Sequence, residues 1–430
     1  MRIYFIGIGG IGISALAKYY LKKGNEVFGS DVSGNDIIEK LLKEGCHINI
    51  GPQKKENLTE NLDLVIYTPA VNERNEEFTE AKRRGIKLLS YPEALGEFSN
   101  NLFTLAVSGT HGKSTTTTML SFILIEAGLD PTVIVGTKVK EFGDSNLRIG
   151  SSKYLVIEAC EYENSFLHYH PQISLIMNIE ADHLDYFKNI ENINNSFKQF
   201  AAQSEKVIIQ NELDSVIEHK NKIVFNKEDA EILNNILQVP GQFNKINAFH
   251  ALKAARELGI DDEVSFRALA KFKGTWRRMD IDDQSFDFTI INDYGHHPTA
   301  IKVTLEAIRE KYPTQKIYCL YQPHQYERTF NLFDAFVGAF QKSLDKNYID
   351  ELLIYPIYTV EARESEEIKS KVSSEKVVLA VNREKCLFIK DFESTKEFIE
   401  KNLKKNDVLV IMGAGNIYDF YHYLKISNNF

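Results

Sequence analysis

Short apolar runs alternate with longer segments of helical period along the whole chain, the pattern of parallel α/β domains. The first run, residues 2–6, precedes a helical segment over 13–23 and a second strand over 26–29. A polar break at Ser99-Asn100-Asn101 closes this block, and a new strand over 102–107 opens the next. That strand enters a glycine turn and then a helix carrying Met119, Leu120, Phe122, Ile123 and Ile125, with Gly128 as its C′ residue. Strands are also predicted over 154–157 and 173–177. After the stretch 274–278, a third block begins with a strand over 286–292 and includes another over 408–412. The pattern predicts three α/β domains, at 1–98, 99–279 and 280–430.

Two glycine turns carry chemistry. Gly109-Thr110-His111-Gly112-Lys113-Ser114-Thr115 lies between strand and helix. Such a turn cradles phosphate: backbone N–H groups and the helix N-terminus face the anion, Lys113 reaches the terminal phosphates, and the Ser114 hydroxyl can bind Mg²⁺. Val107 stands where the standard pattern has a glycine, so this is a compact variant. The other turn, Gly7-Ile-Gly9-Gly10-Ile11-Gly12, follows the first strand. The second strand ends in Ser30-Asp31. Asp31 lies 19 residues past Gly12, where a dinucleotide fold places its ribose-binding acid; it is alternatively a plain turn residue. NAD(P) binding is therefore a rival. However, a new domain starts near residue 100, which leaves room for a Rossmann-like half-fold holding one nucleotide diphosphate.

Other candidate residues collect at predicted strand ends, where parallel α/β sheets bind ligands. In the second block these are Glu158, a natural oxygen ligand for a hard cation, and His183, which also suits Mn²⁺. Glu161 and Glu163 read as solvated or substrate-facing. In the third block they are Asp293, able to accept from ribose hydroxyls, and His296, His297, His324 and Arg328, able to meet phosphate or carboxylate. The turn at Gly413 to Asn416 either touches substrate or simply turns the chain.

Formal charge is −9, from 51 basic and 60 acidic residues, which argues against a general nucleic-acid surface. Cys46, Cys160, Cys319 and Cys386 are far apart and form no Cys-x-x-Cys pair, as expected of reduced thiols in a cytoplasmic protein. No signal-peptide pattern and no long apolar run stand out, so neither secretion nor a membrane partner is expected.

Six strings occur in order: Gly7-Ile-Gly-Gly-Ile-Gly12, Gly109-Thr-His-Gly-Lys-Ser114, Asn178-Ile-Glu-Ala-Asp-His183, Gly241-Gln-Phe-Asn-Lys-Ile-Asn247, Asp293-Tyr-Gly-His-His-Pro298 and Gln322-Pro-His-Gln-Tyr-Glu-Arg-Thr329. Together they resemble the Mur ligase family over nearly the whole chain. The resemblance implies a Rossmann-like UDP-sugar domain (1–98), a central P-loop ATPase domain (99–279) and a C-terminal α/β domain closing on ATP and amino acid (280–430). It implies ATP-dependent joining of L-alanine to UDP-N-acetylmuramate with Mg²⁺, by a monomer or homodimer. Gly9, Gly10, Ile11 and Gly12 would meet the sugar-nucleotide diphosphate, beside Ser30 and Asp31. Lys113 would hold the ATP phosphates and Ser114 the first metal ion, with Glu158 and His183 serving the second. Asn247 would meet adenine, Asp293 ribose, and His297 the nucleotide. Lys113, His183 and Arg328 would carry the catalytic charge.

The chain departs from the family pattern at several places. Cys160-Glu161-Tyr162 stands where many members have Asp-Glu-Ser, Phe243 where a histidine is common, Pro52 where a histidine follows Gly51, and Tyr91-Pro92-Glu93 where an arginine is common. Three alternatives remain beside the expected ligase: a sister ligase that attaches a preformed peptide, a catalytically inactive nucleotide-binding regulator, and an oxidoreductase.

Overall fold

The computed structural model describes residues 1–359, 364 and 366–427. It contains three sheets. The first is built from β1 (Arg2–Ile6), β2 (Glu26–Asp31), β3 (His47–Ile50), β4 (Leu64–Tyr67) and β5 (Lys87–Ser90). All are parallel, in the order β3-β2-β1-β4-β5. The order reverses between β1 and β4, so the crevice at the carboxyl end of β1, where the glycine turn lies, is the natural ligand position.

The second sheet comprises β6 (Phe103–Ser108), β7 (Thr132–Val139), β8 (Ser145–Arg148), β9 (Tyr154–Glu158), β10 (Ile173–Ile176), β11 (Lys206–Gln210) and β12 (Lys222–Phe225). Its order is β12-β11-β10-β6-β9-β7-β8, and only the β7–β8 pair is antiparallel. Strand β6 therefore delivers its loop between the ends of β10 and β9. The third sheet comprises β13 (Asp280–Asp282), β14 (Thr289–Asp293), β15 (Ile317–Tyr321), β16 (Glu351–Ile354), β17 (Cys386–Phe388) and β18 (Val408–Met412), in the order β13-β14-β18-β15-β16-β17. Only β13 runs antiparallel.

Strands inside the sheets, such as β15 and β18, read as unbroken apolar runs and are buried along their whole length. In β18, Val408, Val410 and Met412 enter one core and Leu409 and Ile411 another. The chain divides into two compact units, Met1–Ile236 with Ile246–Phe272, and Leu237–Lys245 with Lys273–Phe430. The first unit holds the first two sheets, through which one apolar cluster extends from Ile3 to Ile217. Among the described residues, no helix is long and apolar enough to cross a membrane. All four cysteines are free thiols.

Candidate active site

In the first unit, β6 ends at Ser108 and the helix Lys113–Glu126 begins four residues after Gly109. The turn needs glycines. At Gly109 a Cβ would stand 2.9 Å from the Met177 side chain and 3.0 Å from the Asn178 backbone; at Gly112 it would collide with the Asn247 amide. Both have positive φ, +132° and +85°. Asn178, just beyond β10, clamps the turn. Its Oδ1 accepts from the His111 N–H at 2.8 Å, its Nδ2 donates to the His111 carbonyl at 3.1 Å, and its own carbonyl accepts from the Thr110 N–H at 3.1 Å. The Thr110 hydroxyl accepts from the Glu180 N–H at 2.9 Å, and the His111 ring lies 3.6 Å from the Glu180 carboxylate. Thus the Thr110 and His111 N–H groups are committed to the clamp. No side chain caps the helix, so its first-turn N–H groups, from Lys113 to Thr115, remain for an anion.

Lys113 is not waiting in solvent. Its ammonium lies 2.9 and 3.1 Å from the two oxygens of Glu161, and donates to the carbonyls of Gly109 (2.5 Å) and Thr110 (3.3 Å). Burial pulls the ammonium pKa down, but the charge of Glu161, helped by Cys160 and Glu158, outweighs it and leaves the pKa raised. Glu161, expected to be solvated or substrate-facing, is instead buried on the lysine. The sequence offers no local sign of this, because the two residues meet across 48 positions.

Glu158 ends β9, one strand from β6, and its Oε2 accepts from the Gly136 N–H at 2.7 Å. His183 follows β10 and precedes the one-turn helix Leu184–Phe187 with φ of 52°; its ring lies 4.6 Å from that of Tyr162. Glu163 and Asn164 also adopt left-handed backbone (52° and 57°). Such outliers gather where function over-determines the chain. Ser114 is buried at the helix start, and Asn247 supports the turn: its amide packs on Gly112 and its carbonyl accepts from Thr116.

The other glycine turn of this unit is braced from two sides. One Asp31 oxygen accepts from the Gly9 N–H (2.9 Å) and the other from Ser33 (3.4 Å), while Asn35 Nδ2 donates to the Gly9 carbonyl (3.2 Å). Asp31 therefore holds the turn. Ser30 is fully buried. Its hydroxyl donates to Glu77 (2.5 Å) and accepts from Gln53 (3.0 Å), and Glu77 also accepts from Tyr4 and Asn57. The Ser30 side chain is thus directed into the interior network. Gly10 starts the helix Ile11–Lys22 without a side-chain cap, and Gly12 lies against the Tyr91 ring. Asn146, on β8, donates to the Ile11 carbonyl and accepts from Lys18 at 3.0 Å.

Asp293, His297 and Arg328 belong to the second unit. Asp293 ends β14 and is buried. Its oxygens accept from the Met279 N–H (3.0 Å) and the Gly295 N–H (2.8 Å). Burial pushes its carboxyl pKa up against the opposing charge of Arg278 and those N–H groups. His297 caps the helix Pro298–Lys311 through Thr299. His324 stacks on Tyr358, with ring centroids 5.4 Å apart, and its Nδ1 lies 3.1 Å from an Arg328 nitrogen. The Gly413 and Gly415 carbonyls accept from Arg277, whose guanidinium also lies over Tyr294 and Tyr418. Gln322 bonds Asn416 (2.9 Å) and the Ile417 N–H (3.0 Å). The Gly413 turn is thus held by Arg277, which carries no local chemical signature, and by Gln322, the first residue of the string over 322–329.

The chain matches three family profiles: Mur ligase family, catalytic domain, over residues 2–102; Mur ligase middle domain, over 107–235; and Mur ligase, glutamate ligase domain, over 277–415. It is 39% identical over 450 residues to the UDP-N-acetylmuramate--L-alanine ligase of Clostridium kluyveri, covering 97% of this chain and 96% of that one. The namesake from Clostridium tetani is 38% identical with the same coverage. A UDP-N-acetylmuramate-alanine ligase structure from Thermotoga maritima superposes with a TM-score of 0.80 at 25% identity, covering 100% of both chains. A murein peptide ligase from Psychrobacter arcticus shares the fold, with a TM-score of 0.70 at 21% identity over 100% of this chain and 99% of that one.

Proposed function

The chain belongs to the Mur ligase family, and from that premise we propose that it joins L-alanine to UDP-N-acetylmuramate, converting ATP to ADP and phosphate in peptidoglycan precursor synthesis. The observation that carries this function is the phosphate loop after β6, which leaves the sheet between β9, ending in Glu158, and β10, followed by Asn178 and His183. The part over 1–98 holds the sugar nucleotide, 99–279 holds ATP, and 280–430 serves ATP and the amino acid.

A carboxylate is a poor acyl donor. Phosphorylation by ATP turns it into an acyl phosphate with a good leaving group, which the amine attacks through a tetrahedral intermediate. Lys113 and the open first-turn N–H groups stabilise charge on the transferring phosphoryl group, a term typically worth about 3–4 kcal/mol per contact. Once phosphate arrives, Lys113 exchanges part of its bonding to Glu161 for the ligand. Arg328 stabilises charge from the C-terminal part, where Asp293 serves the ribose.

The donors suit a hard divalent cation. Glu158 offers a carboxylate already oriented by a backbone N–H, Ser114 a hydroxyl, and His183 a ring nitrogen that also suits Mn²⁺. These residues would hold Mg²⁺, which would supply neutralisation of the triphosphate charge. Phosphate release from ATP, measured with UDP-N-acetylmuramate and each candidate amine, tests the function. Release requiring both the sugar nucleotide and L-alanine is expected. A requirement for a tripeptide would move the chain to the peptide-attaching branch, and no release with any amine would leave a nucleotide-binding regulator.

A further inference from the structure

Gly136 is exposed and lies in β7, outside every motif that points to ligand binding. Glycine weakens a strand, and within one it often marks a close approach. Here the approaching group is the Glu158 carboxylate. A Cβ on Gly136 would stand 2.9 Å from both carboxylate oxygens and 3.0 Å from Cδ. The Gly136 N–H donates to Oε2 at 2.7 Å. The backbone has no other need of glycine, since φ at Gly136 is not positive.

The local sheet explains why these two residues meet. Strand β7 pairs with β9 from Thr132–Leu155 only as far as Ile134–Ile157. Beyond that point the β7–β8 register shifts, between Ile134 and Val139. Such irregularities re-aim strand groups and are common beside active sites. The freed Gly136 N–H therefore turns to the side chain of the last β9 residue instead of to a ladder partner.

The strand cannot easily retreat. Val135, Thr137 and Val139 are buried on its other face. Lys138 is paired with Asp36, and β8 is tied to the helix Ile11–Lys22 by Asn146, which bonds the Ile11 carbonyl, Ser14 and Lys18. By contrast, the group that a methyl at 136 would strike is the mobile end of a glutamate. A collision would move the carboxylate and leave the strand in place.

We infer that Gly136 is a positioning residue for the metal site: its N–H aims the Glu158 carboxylate, and its missing side chain leaves the space that aim requires. This rests on Glu158 serving a divalent cation, as proposed above. Partners that orient a metal ligand typically contribute about 10–100-fold to metal affinity.

The test is Mn²⁺ binding to the full chain with a non-hydrolysable β,γ-imido analogue of ATP, followed by electron paramagnetic resonance. Gly136→Ala is expected to raise the Mn²⁺ dissociation constant by about tenfold, with an unchanged urea unfolding midpoint. In a Glu158→Gln background the same change is expected to add nothing, because the group it displaces has already lost its charge. Unaltered Mn²⁺ affinity in Gly136→Ala, or an equal loss in both backgrounds, overturns the inference. Unaltered affinity in Glu158→Gln alone instead refutes the assignment of Glu158, a separate failure.

Discussion

Replacing Lys113 by methionine probes the residue's two duties at once. Its ammonium is 2.9 and 3.1 Å from the oxygens of Glu161, whose side chain is only 4% exposed. Methionine keeps most of the volume but strands that carboxylate. Breaking a buried ion pair from one side costs about 3–5 kcal/mol, much of it the penalty for the charge left behind. Lys113→Met is therefore expected to destabilise the first unit by about that amount. The double variant Lys113→Met/Glu161→Gln removes the stranded charge and is expected to return to within about 1 kcal/mol of the parent. Turnover behaves differently. Both variants lack the ammonium that meets the transferring phosphoryl group, so both are expected to lose at least about a hundredfold. Urea unfolding followed by far-UV circular dichroism reads the stability. Trp276, the single tryptophan, belongs to the second unit, so its fluorescence transition provides an internal control that should not move. Phosphate release reads the activity. A Lys113→Met protein that unfolds at the parental urea concentration, or a double variant no more stable than the single one, refutes the stranded-charge account. Near-normal turnover in either variant refutes the catalytic role of Lys113.

Asp31→Ala frees the Gly9 N–H and loosens the first glycine turn; a hydrogen bond to a charged group contributes about 1.5–3 kcal/mol, so the KM for UDP-N-acetylmuramate should rise by roughly 10–100-fold with the KM for ATP unchanged. Equal rises for both substrates would show a general structural role instead. His250 packs edge-on to Phe225 in the first unit, and burial lowers its pKa from 6.5 to about 4, against two backbone hydrogen bonds that favour the charged form. The unfolded chain therefore takes up this proton first as pH falls. The contribution to stability is complete above pH 6.5 and is lost towards pH 4, amounting to about 3 kcal/mol. Unfolding midpoints across that window should fall less steeply for His250→Gln, and an identical pH profile would exclude the histidine as a source of the dependence.

Individual elements show why some of this was legible in advance. The strands over 2–6 and 408–412 have the bounds their apolar runs predict, because each is buried on both faces and ends at a glycine turn. The strand expected over 286–292 begins only at Thr289, since Phe286 and Phe288 stack on one another beside the sheet, 5.4 Å apart. The β7–β8 hairpin leaves no readable period: β8 is four residues long and mostly polar, and β7 is irregular where it matters. At the site, the phosphate loop is local chemistry contained within seven residues. The lysine's resting partner, the clamp on the loop and the aim of Glu158 are not local.

Alternating apolar runs were sufficient for the α/β class, and six short strings in order for the resemblance to the family, because periodicity and motif spacing depend on residues a few positions apart. Only the tertiary structure decided that Glu161 rests on Lys113, that Asn178 clamps His111, that Gly136 aims Glu158, and that Ser30 turns inward to Glu77. These partners are 48, 67, 22 and 47 residues apart. Their meeting depends on which strands become neighbours in the sheets and on which polar groups, once buried, must find a partner.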